Sequence, residues 1–180
     1  MGNGFQSFAW PSCSTSLEYI ATSVVGNILG NLKTFAQPEA RNAILRRLGN
    51  LRVDSPRLWG RMSAHQTICH LSDSLRSMMG ERPISTLRRS TALKWPALYL
   101  PFPWPRGIKT RPEVDQFVGG TKPADFAVDM ASLLILLERI ASPTPDFTWQ
   151  PHPIFGPLSQ WQWMRWAYLH ADHHLRQFGQ

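Results

Sequence analysis

The chain has 180 residues, which suits one domain with a substantial core. Its hydrophobic share of 43% is that of a globular protein, and its net charge of +7 comes from scattered Lys and Arg residues. Only "ILRR" and "LRRS" are short basic clusters, so the excess reads as a solvated surface and argues against nucleic-acid binding.

Two cysteines, Cys13 and Cys69, exclude a disulfide scaffold and point to the reducing cytoplasm. A signal peptide is not expected, because the start lacks a positive region and "YIATSVVGNILG" is broken by Gly26, Asn27 and Gly30. Gln6 stands where a myristoylation signal needs Ser or Thr. The longest apolar run, "LLILL", is far shorter than the ~18 residues of a spanning helix, so no membrane partner is expected.

In chain order, residues 1–32 read as an N-terminal extension of unknown role, with a poor helix capped by Ser14 or Ser16. The domain proper is expected over 33–180. "QPEARNAILRRLGNL" predicts a helix: Pro38 in the first turn, an early acid, late arginines, Gly49 as the stop, and a stripe of Ala43, Ile44, Leu45 and Leu48. A second helix is expected from about Met62 to Met79, with Ser63 and Gln66 as a capping box and Gly80 as its end. From Arg82 to Pro123 seven prolines and Gly119–Gly120 make a long crossover, partly helical in "TALKWPALYL". Its Trp95, Tyr99, Phe102 and Trp104 argue that it packs over something. "PADFAVDMASLLILLERIA" is the clearest helix, with Phe126, Met130, Leu133, Leu134 and Leu137 at helical spacing. After the proline-rich "SPTPDFTWQPHPIFGPL", a last helix runs from just past Ser159 to Phe178. Four good helices without strand patterns predict an all-α four-helix bundle.

The last helix ends in "YLHADHHLRQFGQ", with His170, His173 and His174 close together. His170 and His174 are spaced i, i+4, about 40° apart around the axis and ~6 Å along it. They share a face with Trp163, Trp166, Ala167 and Gln177, so they continue the apolar stripe. Such a pair can ligate one metal ion, or can be two hydrogen-bonded core histidines. His173 could replace His174 as a ligand or orient it. A third ligand must come from another helix, and "RMSAHQTICHLSDSL" offers His65 and His70. These are about 140° apart on the wheel, so only one can join. His65 shares its face with Cys69, an i, i+4 pair that reads best as a buried thiol beside a capping-turn histidine.

"WGRMSAHQTICHLSDS", followed far downstream by "HPIFGPLSQWQWMRWAYLHADHHLRQFG", resembles the DinB/YfiT-like superfamily, and within it a subfamily of uncharacterised bacterial DinB-like proteins. The likeness covers about residues 33–178; the first 32 residues fall outside it. It implies a four-helix bundle in which a His from the second helix, in a His–Leu step downstream of a Trp, joins an HxxxH pair of the last helix around one divalent metal. Here these are His70 (with Leu71 and Trp59), His170 and His174, and Gln177 matches a Gln found after that pair. The metal identity stays open among Zn, Ni, Fe and Mn.

The resemblance implies a metal-dependent enzyme of thiol-transferase or hydrolase type, acting on a small-molecule substrate such as a low-molecular-weight thiol. Whether this chain is catalytic stays open; the alternative is a non-catalytic, metal-stabilised binding or stress-response module. Asp73, one turn beyond His70, is the one candidate for a catalytic base or an acceptor for an imidazole N–H, and a plain structural ion pair is an equal reading. Asp172 is expected to be solvated. The "PALYLPFPWPRG" crossover reads best as a plain packed connection; the alternative is a roof over the site, with Trp104 and Arg106 as substrate contacts, and surplus aromatics suit a homodimer.

Overall fold

The computed structural model describes residues 32–85, 91–100 and 102–180. The expected N-terminal helix, its caps Ser14 or Ser16, and Cys13 lie outside the described residues. Within them the chain is all-helical: α1 (Pro38–Gly49), α2 (Ala64–Met79), α3 (Thr91–Tyr99), α4 (Phe126–Ala141) and α5 (Gln160–Leu175), with 3-10 turns at Pro112–Val114 and Arg176–Phe178. They lie in one compact unit, Lys33–Gln180. None of the described helices is long and apolar enough to cross a membrane.

The ends of the helices follow from local chemistry. Ser63 and Gln66 form the expected capping box on α2, and Gly80 closes it in the left-handed conformation at φ 84°. Ser159 and Gln162 make a second capping box on α5, and Asp125 caps α4 by accepting from Val128 N. Gly49 is the last helical residue of α1 and not the stop; Asn50, still right-handed, donates to the free carbonyls of the last turn.

Helices α1, α2, α4 and α5 close one core. Ile44 and Leu48 of α1 meet Ile68 and Leu75 of α2, Leu133 and Ile140 of α4, and Trp163 and Leu175 of α5. Each such aliphatic side chain contributes about 1.5–3 kcal/mol on burial. On α4 the fully buried stripe is Leu133, Leu136, Leu137 and Ile140, while Phe126, Met130 and Leu134 sit half-buried at its edge. The stripe is narrower than the sequence suggests because α4 packs mainly on α2 and leaves Val128 and Ile135 in solvent.

The proline-rich crossover is anchored to these helices. α3 tolerates Pro96 and docks on α5: Leu98 is fully buried, its carbonyl accepts from Arg165 Nε at 2.9 Å, and Gln162 Nε2 donates to the Tyr99 hydroxyl at 2.9 Å. Arg165 is itself buried, and its second bond reaches Lys33 O. Asp172, against expectation, is not simply solvated: it accepts from Arg47 at 2.7 Å and Arg176 at 2.9 Å, tying α1 to α5.

Asp73 anchors the far part of the crossover. It is 0% exposed, and a carboxylate without water must be fully paired. Arg82 Nη1 at 3.0 Å, Gln116 Nε2 at 3.0 Å, Thr121 N at 2.8 Å and Thr121 Oγ1 at 2.7 Å all donate to it. Arg82 then donates onward to the carbonyl of Glu113. So Asp73 clamps residues 113–121 against α2. Replacing it with Ala should cost about 3–5 kcal/mol, because Arg82 and the three other donors lose their acceptor. Urea unfolding followed by circular dichroism checks this; a loss below 1 kcal/mol would reduce the clamp to a surface ion pair.

Candidate metal centre

Three imidazoles from two helices converge where α2 crosses α5. His70 is 4% exposed, His170 9% and His174 6%. The Nε2 atoms of His70 and His174 each lie 3.1 Å from His170 Nε2. Three nitrogens held ~2.0–2.1 Å from one tetrahedral ion stand about 3.3 Å apart, so the spacing fits a shared metal.

The outer ring nitrogens settle the protons. His70 Nδ1 lies 2.7 Å from the carbonyl of Val114, which can only accept, so Nδ1 carries the hydrogen and Nε2 keeps its lone pair. His174 Nδ1 lies 2.8 Å from Gln177 Oε1, which fixes the same tautomer. Burial pushes the proton affinity of all three rings down, and for His170 the neighbouring His174 and His70 push it further. The rings are therefore neutral. Two lone pairs face His170 Nε2, which has at most one proton to offer. One buried acceptor is left unpaired whichever way that proton points, and such a group costs about 1–3 kcal/mol. A divalent cation at that point satisfies all three nitrogens at once.

Gln177 packs into the space that Gly60 leaves by having no side chain. Gly60 sits at φ 85°, and a Cβ there would come within 2.7 Å of Gln177 Nε2. Leu58 N also donates to the Gln177 carbonyl at 2.6 Å. The segment before α2 thus braces the partner of His174.

His173 does not join the cluster. Its ring packs edge-on to Trp59 at 4.9 Å and lies 6.1 Å from Trp104. Of the two alternatives in the sequence, His174 is the one that converges.

The second group, His65, Cys69 and Asp129, is chemically different. His65 Nε2 lies 2.7 Å and Cys69 Sγ 3.6 Å from Asp129 Oδ2, and the Ala124 amide donates to the same oxygen. Burial and the Asp129 charge push the Cys69 thiol up to about 12, so it stays protonated. Here donors meet an acceptor, and the group is satisfied without an ion. It reads as a structural tie between α2 and α4.

Asp73 is one turn from His70 but does not act on it by hydrogen bonding; its donors leave it no free role as a base. Its charge favours the protonated His70 ring, against the larger effect of burial, and it holds the segment that brings Val114 O to His70. No sequence signal marked Val114, because a backbone carbonyl has no side-chain signature. Gly60 and His152 were equally unmarked, although the glycine after Trp59 and the His–Pro step before Gly156 are the local patterns that could have pointed to them.

The cluster opens into a cavity of about 1110 Å³. Trp104 and Arg106 of the crossover line it. Trp104 Nε1 donates to Ala97 O, and Arg106 lies 5.3 Å over the Trp59 ring. Its charged lining is Arg61, Arg106, Lys109 and Arg111 against one carboxylate, Asp115. Asp115 is engaged by Arg61 at 3.2 Å and by Phe117 N at 2.9 Å.

A family model matches residues 34–180, so the chain belongs to that family, described as "Protein of unknown function (DUF1569)". No curated protein and no solved structure matches it.

The buried rings make stability depend on pH. The usual imidazole value is 6.5, and His152, also on the cavity wall, is pushed down by burial to about 3. Below pH 6.5 the unfolded chain takes up protons that the folded rings refuse, so stability is complete above that pH and falls as pH drops toward the folded values. The loss is up to about 1.4 kcal/mol per pH unit for each such ring. Urea midpoints of metal-free protein should therefore fall steeply from pH 6.5 to 4.5; a flat profile would mean that the rings are solvated. Gly60→Ala should cost roughly 1–3 kcal/mol in the same assay, from backbone strain and displacement of Gln177.

Proposed function

We propose that this member of the family binds one divalent metal ion through His70, His170 and His174, in a four-helix bundle of the DinB/YfiT-like kind, and uses it on a small-molecule substrate. The observation that carries this is the meeting of three neutral imidazoles whose lone pairs exceed the protons between them. A bound ion of this ligand set leaves an open position and acts as a Lewis acid that lowers the pKa of a water or thiol. That chemistry supports a thiol-transferase or hydrolase in the cytoplasm. The metal is Zn, Ni, Fe or Mn, of which Zn, Ni and Fe suit imidazole ligands best.

The chain's own residues do the rest. Val114 and Gln177 hold the tautomers of His70 and His174, keeping Nε2 free on both. Trp59, Trp104 and Trp166 supply apolar walls, and Arg61, Arg106, Lys109 and Arg111 give the mouth a positive field that favours an anionic substrate. A low-molecular-weight thiol bearing carboxylates would suit both features.

One observation favours a second reading, a metal-stabilised binding module without turnover. Among the described residues the only carboxylate on the cavity wall, Asp115, is engaged by Arg61 and a backbone amide, so no free carboxylate base stands beside the centre there.

Metal content by mass spectrometry tests the shared claim. Purified protein should carry about one divalent ion per chain, and His170→Ala should carry none. Chelation should lower the melting temperature of the parent by several degrees and leave the variant unchanged, since a ligand that binds only the folded state stabilises it in proportion to its occupancy. A metal-free parent whose melt ignores added Zn, Ni, Fe and Mn would overturn the reading. A panel of thiols and esters then separates enzyme from module.

A further inference from the structure

The cavity has a second imidazole that the metal centre does not use. His152 opens a tight turn closed by reciprocal bonds with Gly156, His152 N to Gly156 O at 2.8 Å and Gly156 N to His152 O at 2.9 Å. Gly156 turns the chain with φ 72°, where a side chain would be strained. Inside the turn, the amides of Ile154 and Phe155 both donate to His152 Nδ1 at 3.1 Å. A nitrogen that accepts cannot hold the proton, so the neutral ring carries it on Nε2. Protonation of the ring would break both amide contacts, and burial holds the pKa near about 3.

The ring is fixed on every side. It stacks on Phe155 at 4.4 Å and touches Trp163 and Trp166, each at 5.4 Å. His152 is 6% exposed and lines the same cavity as the three-histidine cluster, and among the described residues nothing accepts from its Nε2–H. That nitrogen is not sealed off, so its N–H is open to whatever binds in the cavity. Trp166 lies between the two sites, 5.4 Å from the His152 ring and 4.4 Å from the His170 ring. The surface from the cluster to His152 is therefore an indole face with an N–H donor at its far end.

We propose that His152 is a specificity-determining residue: its Nε2–H donates to a carbonyl or carboxylate oxygen on a substrate whose apolar body lies on Trp166 and whose other end reaches the three-histidine cluster. Only that other end rests on the metal reading. The ring is neutral and can only donate, so it favours acceptor groups over amines and hydrocarbons of the same shape. One such bond to a buried neutral donor should discriminate by about tenfold.

The test needs no metal and no turnover. First, long-range proton–nitrogen correlation spectra of the protein labelled with nitrogen-15 histidine should show His152 as the Nε2–H tautomer throughout the neutral range. An Nδ1–H tautomer or a charged ring overturns the proposal. Second, benzylacetone is titrated against the hydrocarbon in which its C=O is replaced by a methylidene group, read by tryptophan fluorescence and by the His152 Nε2 signal. The ketone should bind about tenfold tighter, and His152→Phe should abolish that preference. Should His152→Phe misfold, His152→Asn keeps an acceptor for the two amides and is too short to present the donor, and it should show the same loss. Equal binding of the two probes, binding of neither, or a preference that survives both variants overturns the proposal. Uptake of Co(II), read by its visible absorption, reports separately on the three-histidine centre, so either claim can fail alone.

Discussion

A buried carboxylate sets the order of this structure. Asp73 has no access to water, and leaving it charged there without partners would cost several kcal/mol. Its partners come from the crossover: Arg82, Gln116 and Thr121. The need to pair one charge therefore pins a proline-rich segment, itself folded into tight turns, against the central helix. The 3-10 turn Pro112–Val114 lies in the pinned segment, and its last carbonyl is the acceptor that fixes the His70 ring. Packing, electrostatics and site chemistry meet in that one chain of contacts.

The site has a comparable logic on its other side. His170 and His174 come from the interior of α5, whose backbone ladder fixes them one turn apart. Gln177 lies just past the helix end in a 3-10 turn, in space that Gly60 leaves open. The ligands thus stand on rigid helices, while the groups that orient them come from connecting segments. The wall residues Trp104, Arg106 and His152 also come from loops. The candidate ligands thus stand on the rigid part of the fold, and the cavity wall on its more variable part.

The contrast between the two candidate clusters shows why residue types do not identify a metal site. His65, Cys69 and Asp129 are as closely spaced as the three histidines. Their donors and acceptor match, so the group is complete as it stands. The three histidines do not match, because their outer nitrogens have used up the protons on His70 and His174. The count of protons against lone pairs separates the clusters, and it is visible only once every partner is in place.

The sequence by itself determined the helices and the spacing of the principal ligands. Local signals carry that information: a capping box at Ser63, another Ser–Gln pair at the start of α5, apolar spacing along α4, and an i, i+4 pair that any helix must present on one face. Helical spacing left His65 or His70, and His173 or His174, open, and only the likeness to a known superfamily singled out His70 and His174; the tertiary structure brings those two to His170 and makes Asp73 a clamp. It alone supplied Val114, Gly60 and His152. The reason is physical: a backbone carbonyl, a close approach at a glycine, or the tautomer of a ring depends on atoms distant in sequence, and no periodicity along the chain records them.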